Sequence, residues 1–387
     1  AALGSHGYQA LDAHASVGTG ATTWRLNGHL ADTDGWRDNT QAEEVSLSGR
    51  VGTRLGHADA FLDFTAFRDA SGTPSALFTT QYETRPDMAR YPFDKQKHDG
   101  VRLRPGFAGK LSGPLHMEGE LGYLDDRYRG YSYTAAGTPT YTSDRAGKTV
   151  SATPRLRWSH GLSGLDSQSV IGLDYYDGEI DSDTWSSFSG VNKQTASQTS
   201  LALYLQNTTA LSARTDVTVG MRRQQMKQTA SDQAAGMLSE AKRSRNAWEI
   251  GVSHRLDEAT RVYAKVGRTF RFPTTDELFG FDPFTYATIF RGDLKPQQGK
   301  LQELGATWQN GRVALDASLF RTDLSDEIGY DGATYSNVNL PDTRHQGLEL
   351  EGRWRISPSW RARLAHTVTD ATFQAEVLDA TVPVVVD

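Results

Sequence analysis

Apolar and polar side chains alternate along much of this chain with a period of two, the repeat of an extended strand and not of a helix. In LELEGRWRI, Leu348, Leu350, Gly352, Trp354 and Ile356 fall on one side, and Glu349, Glu351, Arg353 and Arg355 on the other. Val313, Leu315, Ala317 and Leu319 alternate with Ala314, Asp316 and Ser318, and Trp360, Ala362 and Leu364 with Arg361 and Arg363. The pattern predicts strands at Gly7 to Val17, Thr22 to Ala31, Glu43 to Arg54, Ala58 to Arg68, Gly100 to Leu111, Leu115 to Tyr123, Thr149 to Ser159 and Ser167 to Tyr176. It continues with Ser197 to Ala210, Thr215 to Gln225, Asn246 to Arg255, Thr260 to Thr269, Lys300 to Gln309, Arg312 to Thr322, Gln346 to Ile356 and Trp360 to Thr369. That makes about sixteen, each long enough to cross a bilayer when tilted, for which about 9 to 11 residues suffice.

The connections alternate in length. Tight turns are expected at Gly18, Leu55, Ser112, Gly161, Ser212, Leu256, Asn310 and Ser357. Between them lie long polar segments such as Asp69 to Asp99, Asp125 to Lys148, Asp177 to Ala196 and Phe270 to Gly299. A meander with short turns at one end and long loops at the other is the pattern of a transmembrane β-barrel. A soluble β-sandwich is the alternative, but nothing in it forces short and long connections to alternate.

The two faces carry the same message. A packed soluble barrel has an apolar interior, whereas here a charged face stands opposite an apolar one. Charge in a wet lumen and apolar side chains against lipid satisfy both, and closure pairs every backbone group. On this reading Glu349, Glu351, Arg353, Arg355, Arg361 and Arg363 line the lumen. Tryptophan prefers the membrane interface, and Trp24, Trp158, Trp308, Trp354 and Trp360 all lie within four residues of a short turn. The expected class is all-β, a transmembrane antiparallel β-barrel.

Composition narrows the chemistry. Hydrophobic residues make up only 37% of the chain, so any core must be economical. The absence of cysteine excludes disulfides and thiolate metal sites. With a net charge of -6 and Lys and Arg spread along the strands, nucleic acid is not the expected partner. No run approaches the 18 or so apolar residues of a spanning helix.

Three blocks resemble a known family. RTFRFPTTDELFG from Arg268 resembles the FR-x-PT-x-x-EL segment of TonB-dependent outer-membrane receptors, LKPQQGKLQELGATW from Leu294 their L-x-P…ELG strand, and YSNVNLPDTRHQGLELEGRW from Tyr335 their N-V-N…G-x-E-L-E block. DTDGWRDN from Asp32 is similar to an early DGYRDN loop. The resemblance implies a 22-stranded barrel preceded by a plug, of which residues 1-387 would be strands about 2 to 17. Neither a plug nor a TonB-box-like segment is expected within the chain, and TVPVVVD reads as a truncation. It further implies a monomer in the Gram-negative outer membrane, in contact with lipid and lipopolysaccharide. Its partners would be TonB, acting through the missing plug, and a ferric siderophore or similar chelate taken up without covalent chemistry, so neither enzyme activity nor a resident cofactor is expected. Alternatives are a plugless diffusion porin and a receptor for cobalamin or another organic cofactor.

A bulky anionic chelate calls for aromatic surfaces and cationic donors. The loops offer Arg127, Tyr128, Arg129, Tyr131 and Tyr133, then Trp185 and Phe188, then Phe281, Phe284, Tyr286, Phe290 and Arg291. For each, a loop folded around its own aromatics is the alternative. Asp32, Asp34 and Asp38 are a weak Ca²⁺ candidate, because the glycine comes too early for an EF-hand and a solvated acidic loop accounts for them better. The ten histidines show no pair at metal-ligand spacing.

Overall fold

Extended backbone satisfies its N–H and C=O groups through neighbouring strands, and the strands here pair in antiparallel ladders, mostly each with the next in sequence. The computed structural model describes residues 1–281 and 288–374. In chain order the strands are β1 (Ala2–Leu3), β2 (Gln9–Thr19), β3 (Thr22–Thr33), β4 (Ala42–Leu55), β5 (Ala58–Gly72), β6 (Lys95–Ser112), β7 (Leu115–Tyr133), β8 (Pro139–Ala152), β9 (Arg155–Leu162), β10 (Leu165–Ser186) and β11 (Gly190–Ser212). Then follow β12 (Thr215–Asp232), β13 (Met237–Arg255), β14 (Thr260–Arg271), β15 (Phe279–Phe281), β16 (Thr288–Phe290), β17 (Gln297–Asn310), β18 (Val313–Ser325), β19 (Ile328–Asp331), β20 (Ser336–Asn339), β21 (Thr343–Arg355) and β22 (Arg361–Phe373). One short helix, α1 (Thr79–Thr84), lies between β5 and β6. Each expected strand falls on an observed one. The segment Thr149 to Ser159 is split at Thr153 and Pro154, where proline has no N–H to donate.

The chain forms two compact units. The first comprises Ala1–Arg155, Asp174–Ser200 and Gln228–Glu240. Its charged face carries a chain of ion pairs: Arg50 reaches Asp63 at 2.5 Å, Arg104 the same carboxylate, and Arg104 also Glu120 at 3.5 Å. Arg50 and Asp63 are opposite each other in register, as are Asp63 and Arg104. One residue along, Trp24, Val51 and Leu62 are in register on the other face, where Trp24 and Leu62 stay exposed. Two-residue turns join β2 to β3, β4 to β5 and β6 to β7.

At the opposite end of this unit, two expected long loops are instead strand. The segment Asp125 to Lys148 becomes β7 and β8 with only Thr134 to Thr138 between them, and Asp177 to Ala196 becomes β10 and β11 joined by Ser187 to Ser189. The polar residues there pair across the ladder: Thr195 donates to Asp181 at 3.0 Å, Thr199 to Asp177 at 2.7 Å, and Lys193 lies 3.6 Å from Asp183. The 22 residues of β10 far exceed the 9 to 11 or so needed to span a bilayer. Loss of the apolar face therefore marks the edge of the membrane band and not the end of the strand.

The second unit comprises Leu156–Leu173, Leu201–Lys227 and Ala241–Asp387. Ala264, Leu304, Leu319, Leu348 and Val368 form one register row across five strands, and Leu304, Leu319 and Val368 are each more than half exposed. So much contiguous apolar surface suits a lipid environment. The charged face holds Glu303, which accepts from the Tyr263 hydroxyl at 2.6 Å and meets Lys265 at 2.8 Å. The Tyr263 ring lies over Gly305, directly opposite in register, where a Cβ would collide with it. Glu351 meets Arg363 at 2.8 Å and Arg353 meets Asp316 at 2.8 Å, on the same face. Exposed Trp158, Trp354 and Trp360 all lie near short turns. No described helix is long and apolar enough to cross a membrane.

Candidate functional site

Several large side chains of the second unit are buried where β14 connects to β17 and β18 to β21. Leu278 and Leu294 are each 1% exposed, and Phe272, Pro273, Ile328 and Ser336 are buried with them. Arg271, the last residue of β14, donates from Nη1 to both oxygens of Glu277, at 2.9 and 2.7 Å. One of these oxygens also accepts the Thr274 amide at 2.7 Å. Pro273, inside this knot, brings no N–H that needs a partner. The Asn337 side chain donates to the Glu277 carbonyl at 3.3 Å. Asn339 donates to the carbonyls of Lys295 and Asp326 and accepts the Lys295 amide at 2.8 Å. Arg243, on β13, donates to the carbonyls of Gly292 and Leu294, each at 2.9 Å. FRFPTTDEL, LKPQQG and YSNVNLP thus form one hydrogen-bonded body that fixes the β14–β17 and β18–β21 connections.

The first unit has an analogous clamp. Arg37 donates to the carbonyls of Met88 and Ser75, and Asn39 to those of Tyr91 and Asp94 at 3.0 and 2.8 Å. Four carbonyls of residues 73–94 are therefore held by two side chains of the DGWRDN loop. Gly35, at φ +74°, makes the turn possible, since a Cβ there would strike Thr40. Asn39 and Ser75 have left-handed backbone at φ 57° and 61°, strain of the kind that persists where surrounding contacts dictate the conformation.

Asp38, one of the three carboxylates of the weak calcium candidate, belongs to this clamp. Asp38 pairs with Arg85 at 3.2 Å, and Asp32 sits within β3 opposite Gln9 and Glu43. Among the described residues, no group of three or more His, Asp or Glu is arranged to hold a metal.

The ligand candidates separate. Arg127 to Tyr133 lie in β7, so their side chains alternate between faces. Tyr128 faces the same side as Asp126 and His98, and its hydroxyl donates to Gln96 at 2.8 Å. Arg127 and Arg129 continue the side that carries Tyr123 and are spent on Asp144 and Asp99. Tyr131 stacks beneath Lys95 at 5.5 Å, and Tyr133 meets Phe93 edge-on at 6.5 Å. Trp185 lies at the end of β10, and Phe188, at the hairpin tip, is 99% exposed. Phe290 packs on Phe279 at 6.2 Å. Arg291 lies 3.1 Å from Asp293 and holds that carboxyl below the usual carboxylate range. The side chain of Phe281, together with Phe284 and Tyr286, lies outside the described residues. Sequence reasoning missed the 73–94 segment, which brings Phe78, Tyr82, Arg90 and Tyr91 to one loop.

On the charged face, Glu349 accepts from Ser318 at 3.3 Å, and Glu351 lies between Arg353 and Arg363. Arg355 stands opposite Arg361 in register.

The comparisons with known proteins agree with this architecture. A family model described as TonB dependent receptor-like, beta-barrel, matches residues 13–384. The catecholate siderophore receptor Fiu of Escherichia coli K12 is 29% identical over 130 residues, which make up 33% of this chain and 17% of Fiu. Probable hemoglobin and hemoglobin-haptoglobin-binding protein 4 of Haemophilus influenzae is 24% identical over 153 residues, 34% of this chain and 15% of that protein. Unliganded ferric citrate transporter FecA superposes with a TM-score of 0.81 at 13% identity, covering 96% of this chain and 58% of FecA. The closed form of Fiu gives 0.76 at 16% identity, over 96% of this chain and 64% of Fiu. The chain thus spans less than two thirds of each of these relatives. With its alternating faces, its turns and nearly all of its length matched, the chain belongs to the β-barrel family of TonB-dependent receptors of the Gram-negative outer membrane.

Proposed function

We propose that the protein containing this chain takes up a large, scarce iron chelate, a ferric siderophore, across the outer membrane in a TonB-dependent manner. The observation that carries the reading is the loop clamps, one in each unit, each at the strand ends away from that unit's own short turns. They hold loops rich in aromatic and cationic groups in fixed positions, which lowers the ordering cost of capturing a ligand. Fiu, named a catecholate siderophore receptor, and FecA, named a ferric citrate transporter, support iron chelates as the substrate class. The apolar face lies against lipid and lipopolysaccharide. The charged face, with Glu349, Glu351, Arg353, Arg355, Arg361 and Arg363, lines the lumen, where a plug coupled to TonB moves in a monomeric receptor. Binding and release require no covalent step.

The test is uptake of ⁵⁵Fe-loaded siderophores by iron-starved cells that carry or lack the gene, with and without TonB. Uptake that needs both supports the reading. Entry of small solutes that is independent of TonB and does not saturate would replace it with a passive channel.

A further inference from the structure

We infer that Arg90, with Phe78, Tyr82 and Tyr91, forms a subsite for an anionic ligand that bears aromatic rings. The inference rests on the chelate-uptake reading and assigns its ligand class.

Arg90 is half-buried, its guanidinium 4.0 Å from the centre of the Phe78 ring and 5.2 Å from that of Tyr91. Among the described residues its side chain makes no ion pair or hydrogen bond, so all of its N–H donors are free. The nearby carboxylates are already engaged. Asp38 and Asp87 both face Arg85, and Asp94 accepts the Tyr133 amide at 2.7 Å. No Arg90 nitrogen is among the buried, unpartnered side-chain atoms of the described residues, so water serves its donors and an anion can take that water's place. A guanidinium stacked on rings with its edge free presents a planar fork to an anion and leaves ring surface for an aromatic group.

The surroundings present this group instead of hiding it. Phe78, the N-cap residue of α1, and Tyr82, within it, are 57% and 63% exposed, and the Tyr82 amide donates to the Phe78 carbonyl at 2.9 Å. The Arg90 and Tyr91 amides both donate to the Pro74 carbonyl, which ties the two arms of the segment together. Arg37 and Asn39 fix the same segment from below, so they are positioning residues and Arg90 is the contact. An anion without rings would use only the fork, whereas one with rings would use fork and stack together.

The experiment uses the full-length receptor purified from outer membranes in detergent, with tryptophan fluorescence followed during titration with ferric tris-catecholate or ferric citrate. Arg90→Ala is expected to weaken ferric tris-catecholate about tenfold and ferric citrate less. Arg90→Lys should recover only part of the loss, and Tyr82→Ala, an exposed change that leaves folding alone, should weaken the catecholate selectively. Catecholate binding by Arg90→Ala and Tyr82→Ala within about twofold of the parent would overturn the subsite while leaving chelate uptake standing. Failure of the parent receptor to bind either chelate would overturn the uptake reading and the subsite with it.

Discussion

Glu277 is where the FRFPTTDEL block can be tested as structure. Its carboxylate, 22% exposed, takes two hydrogen bonds from Arg271 and one from the Thr274 amide. Charge-assisted bonds contribute roughly 1.5–3 kcal/mol each in buried settings, and breaking a buried pair costs about 3–5 kcal/mol. Arg271 remains 40% exposed, so water recovers part of that loss. Glu277→Ala should therefore destabilise the clamp locally by about 2–3 kcal/mol, raising amide exchange of residues around Leu278 and Leu294 some 30- to 150-fold while the strand ladders keep their protection. Glu277→Gln retains an acceptor for Thr274 and should fall between. Hydrogen exchange by mass spectrometry on the detergent-solubilised receptor reads both. Unchanged exchange at Leu278 and Leu294 in Glu277→Ala would refute the clamp, and equal loss of protection across β14 and β17 would show that Glu277 supports the sheet instead.

Leu350 and Glu351 are neighbours on opposite faces of β21. Leu350→Arg should impair membrane assembly by about 2–4 kcal/mol if it faces the bilayer midplane, and Glu351→Gln should be tolerated; equal tolerance in a refolding assay would reverse the faces. Asn39→Ala removes the donors to Tyr91 and Asp94 and leaves alanine at a positive φ, so trypsin should cleave faster after Arg90. The Asp331 carboxyl is held low by the Thr334 hydroxyl and the Ala333 amide. Because its folded pKa is depressed, its contribution is full above the ordinary value of about 4 and is lost as pH falls through the folded value. Exchange at the Ala333 amide, corrected for intrinsic pH dependence, should rise below about pH 4 in the parent and show no such step in Asp331→Asn.

The strands were legible because alternation is local: in Leu348 to Ile356 each residue reports its own face, whatever lies beyond. Their upper ends were not, because Asp177, Asp181 and Thr195 to Thr199 look like loop until their ladder partners are known. The clamps were hidden for a stronger version of the same reason. Asn339 meets Lys295 from 44 positions away and Asn337 meets Glu277 from 60, so no window of sequence contains both halves of either bond. Read singly, Asn, Pro and Glu are ordinary loop residues; assembled, they satisfy buried backbone groups that would otherwise lose water without compensation. Asp32, Asp34 and Asp38 read from sequence as a solvated acidic loop more than as a cation site, and in the structure Asp38 is held by Arg85. Arg90 is the complement of that case. In sequence it is one more loop arginine close to Asp87, and only the geometry shows Asp87 turned to Arg85 while Arg90 rests on two rings. The charge that matters for capture is the one left over after the loop has stabilised itself, and that remainder is fixed by three-dimensional pairing alone.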